Sequence, residues 1–280
     1  MPVSYGPCIS PVWAILLMAV QCCGLASAEE TQERELRLAG ERMDLMRSQA
    51  QAIRVVAPDA GIPGQLESQP LFRYDDHTRG YIDAAVWRLG RAGRPQAIIT
   101  TELHPHYLGG GARIVYDFLS ITPVPFSARS HDVNWTPSGS AIDFQTLPNA
   151  AAPAATAALR GAQLKQLAER FTATQAVEGQ KVRLRLLSKP IDRYVSRPDH
   201  DRSDGALFLL CNGRNPAITL FLETDGESWT YGLGRLSLPS VLIVQLDGEP
   251  VWEVEAFLNS VWNQPYCAAN FSIHIPGYDE

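Results

Sequence analysis

The sequence predicts an α+β protein built as an internal duplication. Each unit is a helix followed by an antiparallel β-meander, with the helices packed on one face of the sheet or sheets. Three observations carry this. First, Ser68-Gln69-Pro70-Leu71-Phe72-Arg73-Tyr74 is answered by Ser188-Lys189-Pro190-Ile191-Asp192-Arg193-Tyr194. Second, further matches follow in the same order at an offset of about 120. Asp83-Ala84-Ala85-Val86-Trp87 matches Asp204-Gly205-Ala206-Leu207-Phe208, and Gly93-Arg94-Pro95 matches Gly213-Arg214-Asn215-Pro216. Glu102 stands seven residues after Pro95 and Glu223 seven after Pro216, while Ser120–Trp135 and Ser237–Trp252 both span fifteen. An ordered set of matches at one offset is the mark of a repeat. Third, the short β-branched and aromatic runs are joined by segments too short for crossover helices, which makes the sheets antiparallel.

The N-terminus reads as a signal peptide over 1–28. Residues 12–20 form an apolar run of h-region length, too short to span a bilayer, and Ala26-Ser27-Ala28 is a small-x-small site followed by Glu29-Glu30. A lipid anchor at Cys22 or Cys23 is the rival reading, against which Gln21 precedes Cys22 where a small residue is preferred. Cleavage after Ala28 places the mature chain in the periplasm or outside the cell and leaves Cys211 and Cys267. An oxidising compartment allows these two to pair, whereas Cys211, inside the apolar run 206–211, equally reads as a small buried hydrophobe. No second membrane segment follows.

Residues 29–147 form the first unit. Leu36, Ala39, Met43, Met46, Ala50 and Ile53 repeat at three and four, the stripe of an amphipathic helix that ends by Pro58. Strands are expected over 71–74, 82–89, 96–103 and 113–121. The Pro- and Ala-rich segment 148–158 is the linker. In the second unit, 159–256, a helical face carries Ala157, Gly161, Leu164, Ala168 and Phe171, and strands follow over 182–187, 205–211, 218–223, 230–236, 241–246 and 250–254. The tail 257–280, with Trp262, Tyr266, Phe271 and Tyr278, reads as packed and without a counterpart in the first unit. Joining the two units edge to edge into one curved sheet removes two exposed edges, which favours that arrangement.

The chain resembles a family of uncharacterised exported proteins from planctomycete-type bacteria. The resemblance covers residues 65–255 and is carried by the motifs at 188–194 and 204–208, by 229–237 and by Gly93-Arg94-Pro95. It implies export and brings no activity, cofactor or site residue.

Composition narrows the function. Hydrophobic residues make up 45% of the 280 positions, enough for a sizeable core, and the net charge of −6 with no Lys/Arg cluster argues against a nucleic-acid partner. Arg73 with Asp83, and Arg193 with Asp204, read as bidentate pairs that fix strand register. Glu102 and Glu223 are the catalytic candidates, because two equivalent carboxylates meeting at a pseudo-twofold axis share a proton and suit acid–base hydrolysis. The ligand-binding candidates are His104, His106 and Tyr107, in a segment where the first unit is longer than the second. In extended chain Glu102, His104 and His106 share one side, a possible metal loop, though no fourth ligand is assignable. His77, His131 and His200 each stand beside Asp but at no informative spacing. Gly109-Gly110-Gly111 lacks the Lys-Ser/Thr of a phosphate loop. The sequence thus reads as a non-catalytic binding or structural protein of the envelope, without a cofactor, that meets an envelope partner or a small ligand. The alternative is a hydrolase using the Glu102/Glu223 pair or the His104/His106 loop.

Overall fold

The computed structural model describes residues 11–56, 66–90, 93–177, 179–195, 203–256 and 260–278, with side chains from residue 29 onward. Helix α1 (Pro11–Ala52) leads into β1 (Arg54–Val56). The expected h-region and the Ala26-Ser27-Ala28 site fall on the part of α1 whose side chains lie outside the described residues. Among the described residues no helix is long and apolar enough to cross a membrane.

Strands β2 (Phe72–Asp76), β3 (Tyr81–Leu89), β4 (Ala97–His104) and β5 (Arg113–Ser120) run as consecutive antiparallel neighbours. Next come β6 (Ser127–Arg129), β7 (Asn134–Trp135) and β8 (Phe144–Thr146), then α2 (Ala157–Ala168). The remainder is β9 (Phe171–Val177), β10 (Gln180–Leu186), β11 (Asp192–Tyr194), β12 (Asp204–Asn212), β13 (Asn215–Thr224), β14 (Trp229–Arg235), β15 (Val241–Leu246), β16 (Glu249–Val254) and β17 (Tyr266–Ser272). Three sheets result, with orders β1-β6-β7, β2-β3-β4-β5-β17 and β16-β15-β9-β10-β12-β13-β14-β8; β11 also pairs with β12.

Strands β3, β4, β12 and β13 are buried on both faces almost throughout. Such strands need apolar cover above and below, which edge-to-edge joining does not supply. The five-stranded and nine-stranded sheets therefore stack face to face: Val86, Ile98 and Leu119 of one share a buried cluster with Leu207, Leu209 and Phe221 of the other. Edge pairing contributes only main-chain hydrogen bonds, whereas stacking removes whole apolar faces from water. On the outer faces, Met43, Met46 and Ala50 of α1 are buried with Ala85, Trp87 and Ile99. Leu164, Leu167 and Ala168 of α2 are buried with Phe208, Leu220 and Leu222.

Two details of the helices differ from expectation. Leu36 is exposed, and Leu38 is buried instead, its side chain lying where Gly277 leaves room. The second helix stops at Ala168, so Phe171 faces the core from β9 rather than from a helix.

The registers of the two sheets correspond. Tyr74 lies opposite Ala84 and Tyr194 opposite Gly205; Glu102 also lies opposite Ala84 and Glu223 opposite Gly205. Trp135 faces Ala128 and Trp252 faces Val244 across their pairs. One expected equivalence is displaced. Ser120 stands opposite Ala97, but the matching place opposite Ile218 is held by Arg235, two residues before Ser237.

The tail is packed, as its aromatic residues suggest. Its strand β17 pairs along β5, and β8 pairs along β14, so each outer edge is closed by a strand from the other half of the chain.

The Arg–Asp pairs tie an edge strand to its neighbour and to a helix. Arg73 binds both carboxylate oxygens of Asp83, with Nε–Oδ1 at 2.8 Å, and Arg193 Nη2 lies 2.6 Å from both oxygens of Asp204. Arg160 of α2 adds Nε to Asp204 Oδ2 at 3.2 Å; Arg42 of α1 brings Nε only to 3.7 Å from Asp83 Oδ2. Asp204→Ala strips two guanidinium groups, one fully buried, and should lower the unfolding free energy by about 3–5 kcal/mol in chemical denaturation. Asp83→Ala should cost less, because Arg73 is more exposed than Arg160 and Arg42 makes no hydrogen bond there; equal losses would contradict this assignment.

Candidate functional site

Alternation along β4 turns Thr100, Glu102 and His104 toward the space between the sheets, while Ile99, Thr101 and Leu103 face α1. Asp117 of β5 points the same way. Tyr74 Oη donates to Glu102 Oε1 at 3.1 Å, and His104 Nε2 lies 3.1 Å from Glu102 Oε2. The His104 ring packs against Tyr81, with centroids 5.1 Å apart, and against Tyr107 at 5.3 Å. Asp117 accepts from Tyr266 Oη and, at 3.1 Å, from Thr100 Oγ1. Arg235 lies over the Tyr266 ring, 5.2 Å from its centroid.

Burial dominates the electrostatics of this cluster. It pushes the Asp117 carboxyl up to about 7, with the Glu102 charge adding to the rise and the Tyr266 and Thr100 hydrogen bonds opposing it. Burial likewise raises the Tyr74 and Tyr266 hydroxyls well above the usual tyrosine range. The group can hold a proton close to neutral pH.

The second candidate carboxylate has a different environment. Glu223 accepts from Tyr194 Oη at 2.8 Å, as Glu102 does from Tyr74, but it is also gripped by Arg94 through both oxygens, with Nε–Oε1 at 2.7 Å. The Arg94 guanidinium stacks 3.9 Å from the Phe144 ring centroid. Arg94 and Asn215 hold equivalent places, each directly before a proline. Asn215 is too short to reach across; its amide lies about 3.0 Å from the Tyr81 hydroxyl. Glu102 consequently has no Arg or Lys ion partner among the described residues, and His104 stands beside it instead. The two glutamates occupy separate networks and share no hydrogen-bond partner.

The proposed metal loop does not assemble. β4 ends at His104, and the chain turns through a short 3-10 segment, Tyr107–Gly109, which leaves His106 exposed. Glu102 and His104 are together, Tyr107 reaches the His104 ring, and His106 is apart. Pro105 breaks the strand alternation that the sequence reading required. Among the described residues no group of three or more His, Cys, Asp or Glu side chains is placed to hold a metal. His131 is paired with Asp132 at the surface, and His200 lies outside the described residues. Cys211 and Cys267 are unpaired and buried in different clusters, one between the sheets and one beneath α1.

A cavity of about 360 Å³ lies elsewhere, where α1, the edge strand β2, the β12–β13 turn and the C-terminal segment meet. Arg42, Arg73 and Arg214 line it together with Glu35, Asp75, Asp83 and His77, and Tyr74, Ile82, Ala39 and Tyr278 supply less polar wall. Sequence reasoning missed this site. Its signal was present in Arg42 and Arg160, helical arginines that each precede an Arg–Asp pair, but only the fold brings Arg214 and Tyr278 beside them. No family model matches the chain, and neither a curated protein nor a solved structure matches it.

Asp117 gives a pH test with a definite sign. Its folded-state pKa is raised, so its contribution is complete below the usual carboxylate range and is lost as pH rises through the folded value. Unfolding free energy should therefore fall between about pH 4 and about pH 7. Asp117→Asn should flatten that slope in denaturant titrations at several pH values; an unchanged slope would contradict the assignment.

Proposed function

We propose that this is an exported, non-catalytic binding protein, built by duplication of a helix-plus-meander unit, that takes a small ligand in the envelope. The observation that carries the non-catalytic reading is the use of the two glutamates. Glu223 is closed in by Tyr194 and Arg94, and Glu102 is held by Tyr74 and His104. Glu102 thus ties strands of its own sheet, Glu223 bridges from its sheet to the other through Arg94, and the cavity is lined by neither. The matched registers of Tyr74 with Glu102 and Tyr194 with Glu223 support the duplication, as does the reciprocal closure of both sheet edges by β8 and β17. Export rests on the apolar run 12–20 and the Ala26-Ser27-Ala28 site.

Three measurements test this reading. The intact mass of the secreted chain should correspond to a start at Glu29; a start at Cys22 or Cys23 with added lipid would overturn the cleavage assignment. Chromogenic glycoside and ester substrates should show no turnover above a heat-inactivated control. Glu223→Gln should behave as a structural lesion, lowering stability by about 2 kcal/mol in chemical denaturation, because the half-buried Arg94 loses its charged partner. Turnover that disappears in Glu102→Gln would replace the binding reading with the hydrolase.

A further inference from the structure

Arg42 and Arg160 do the same job in the two halves, yet only one is satisfied. Arg160 sits in the first turn of α2, and the chain entering that helix folds back over it. Its Nη1 donates to the carbonyls of Ala154 and Ala155 at 3.1 Å each, in addition to the Asp204 contact. Arg42 lies inside the long helix α1, where the preceding carbonyls are consumed by the helix itself. Its residue exposure is only 8%, and its Nε has no hydrogen-bond partner. The nearest carboxylate atoms are Asp83 Oδ2 at 3.7 Å and Glu35 Oε2 at 3.8 Å, both beyond hydrogen-bond range. Nε is sealed from solvent, so an occupant of the cavity would meet the Nη groups, which make no hydrogen bond among the described residues either; charged donors left without a partner are costly unless something completes them.

The cavity beside Arg42 has the means to do so. Asp83 is already matched by Arg73, and Asp75 by Arg214 at 3.1 Å, but that second pair is exposed and spends only Arg214 Nη1, leaving its Nε and Nη2 for a ligand. Glu35 is the remaining carboxylate, and its side chain is 62% exposed and free to swing away. The volume of about 360 Å³ falls at the lower end of the range for small-molecule sites. Tyr74, Ile82 and Tyr278 add less polar lining. We infer that this cavity is an oxyanion site, in which Arg42 and Arg214 hold the carboxylate or phosphoryl group of a small organic ligand. Arg73 is committed to Asp83 and to the Ala39 carbonyl, which fixes β2 against α1; the ligand oxygens take the planar, paired donors that guanidinium groups present.

This deepens the binding reading, since it names the class of ligand. The two fail separately: turnover of a substrate would overturn the non-catalytic reading without touching the oxyanion site, and loss of anion binding would do the reverse. The test is calorimetric titration of the mature chain at low ionic strength with inorganic phosphate and with benzoate. Saturable binding of at least one probe is expected, weakened by added salt. Phosphate alone would assign a phosphoryl group, and benzoate alone a carboxylate on an apolar body. Arg42→Gln should weaken binding about tenfold or more, the loss of one charge-assisted contact. Glu35→Gln, at an exposed position that leaves the fold intact, should tighten it by removing the competing carboxylate. Absence of saturable binding in the wild type would overturn the proposal, as would affinity unchanged in Arg42→Gln; if that variant does not fold, affinity unchanged in Glu35→Gln overturns it.

Discussion

The structure depends on one constraint: strands β3, β4, β12 and β13 are apolar on both faces. A strand with one apolar face is stable beneath a single helix, but a strand with two must be sandwiched. Everything else follows from meeting that demand twice. Each sheet turns one face to the other sheet, with Val86 and Ile98 against Leu207 and Phe221, and covers the opposite face with helix and short strands. The exposed outer edges at β5 and β14 are then closed by strands from the opposite half, which blunts two templates for unwanted pairing.

Polar groups at the interface are permitted only where they find partners. Tyr74 with Glu102 and Tyr194 with Glu223 are the same solution placed at the same register. Their divergence comes from a single position. Arg94 spans the gap to Glu223, and Asn215, in the equivalent place, does not span the gap to Glu102. One half therefore closes with a bidentate ion pair and the other keeps a carboxylate beside His104 and a buried Asp117 whose proton is held to near neutrality. The same kind of divergence separates Arg160, saturated by the chain entering α2, from Arg42, left facing a cavity by a helix that runs on past it. Chemistry distinct from the scaffold appears where the two halves stop matching.

The sequence by itself determined most of the strands of both ladders, the antiparallel class and the Arg73–Asp83 and Arg193–Asp204 pairs. These depend on local pattern: runs of β-branched and aromatic residues, short connections, and charges repeated at a fixed offset. It also placed Glu102 and Glu223 at matching registers, because each stands seven residues after a proline. Local pattern was insufficient for β1, β6, β7, β8 and β11, which are two or three residues long and are strands only because a partner lies alongside, and it also missed the seven-residue β9 and β17. Face-to-face stacking was decided by tertiary structure, since a fully apolar run does not say what will cover it. The fates of the candidate site residues were decided there too. His104 and His106 are two apart in sequence, but Pro105 ends the alternation and sends them to different surroundings. Arg94 reaches Glu223 across 129 residues, and Arg214 reaches Asp75 across 139; no spacing rule encodes contacts that exist only after two sheets have packed.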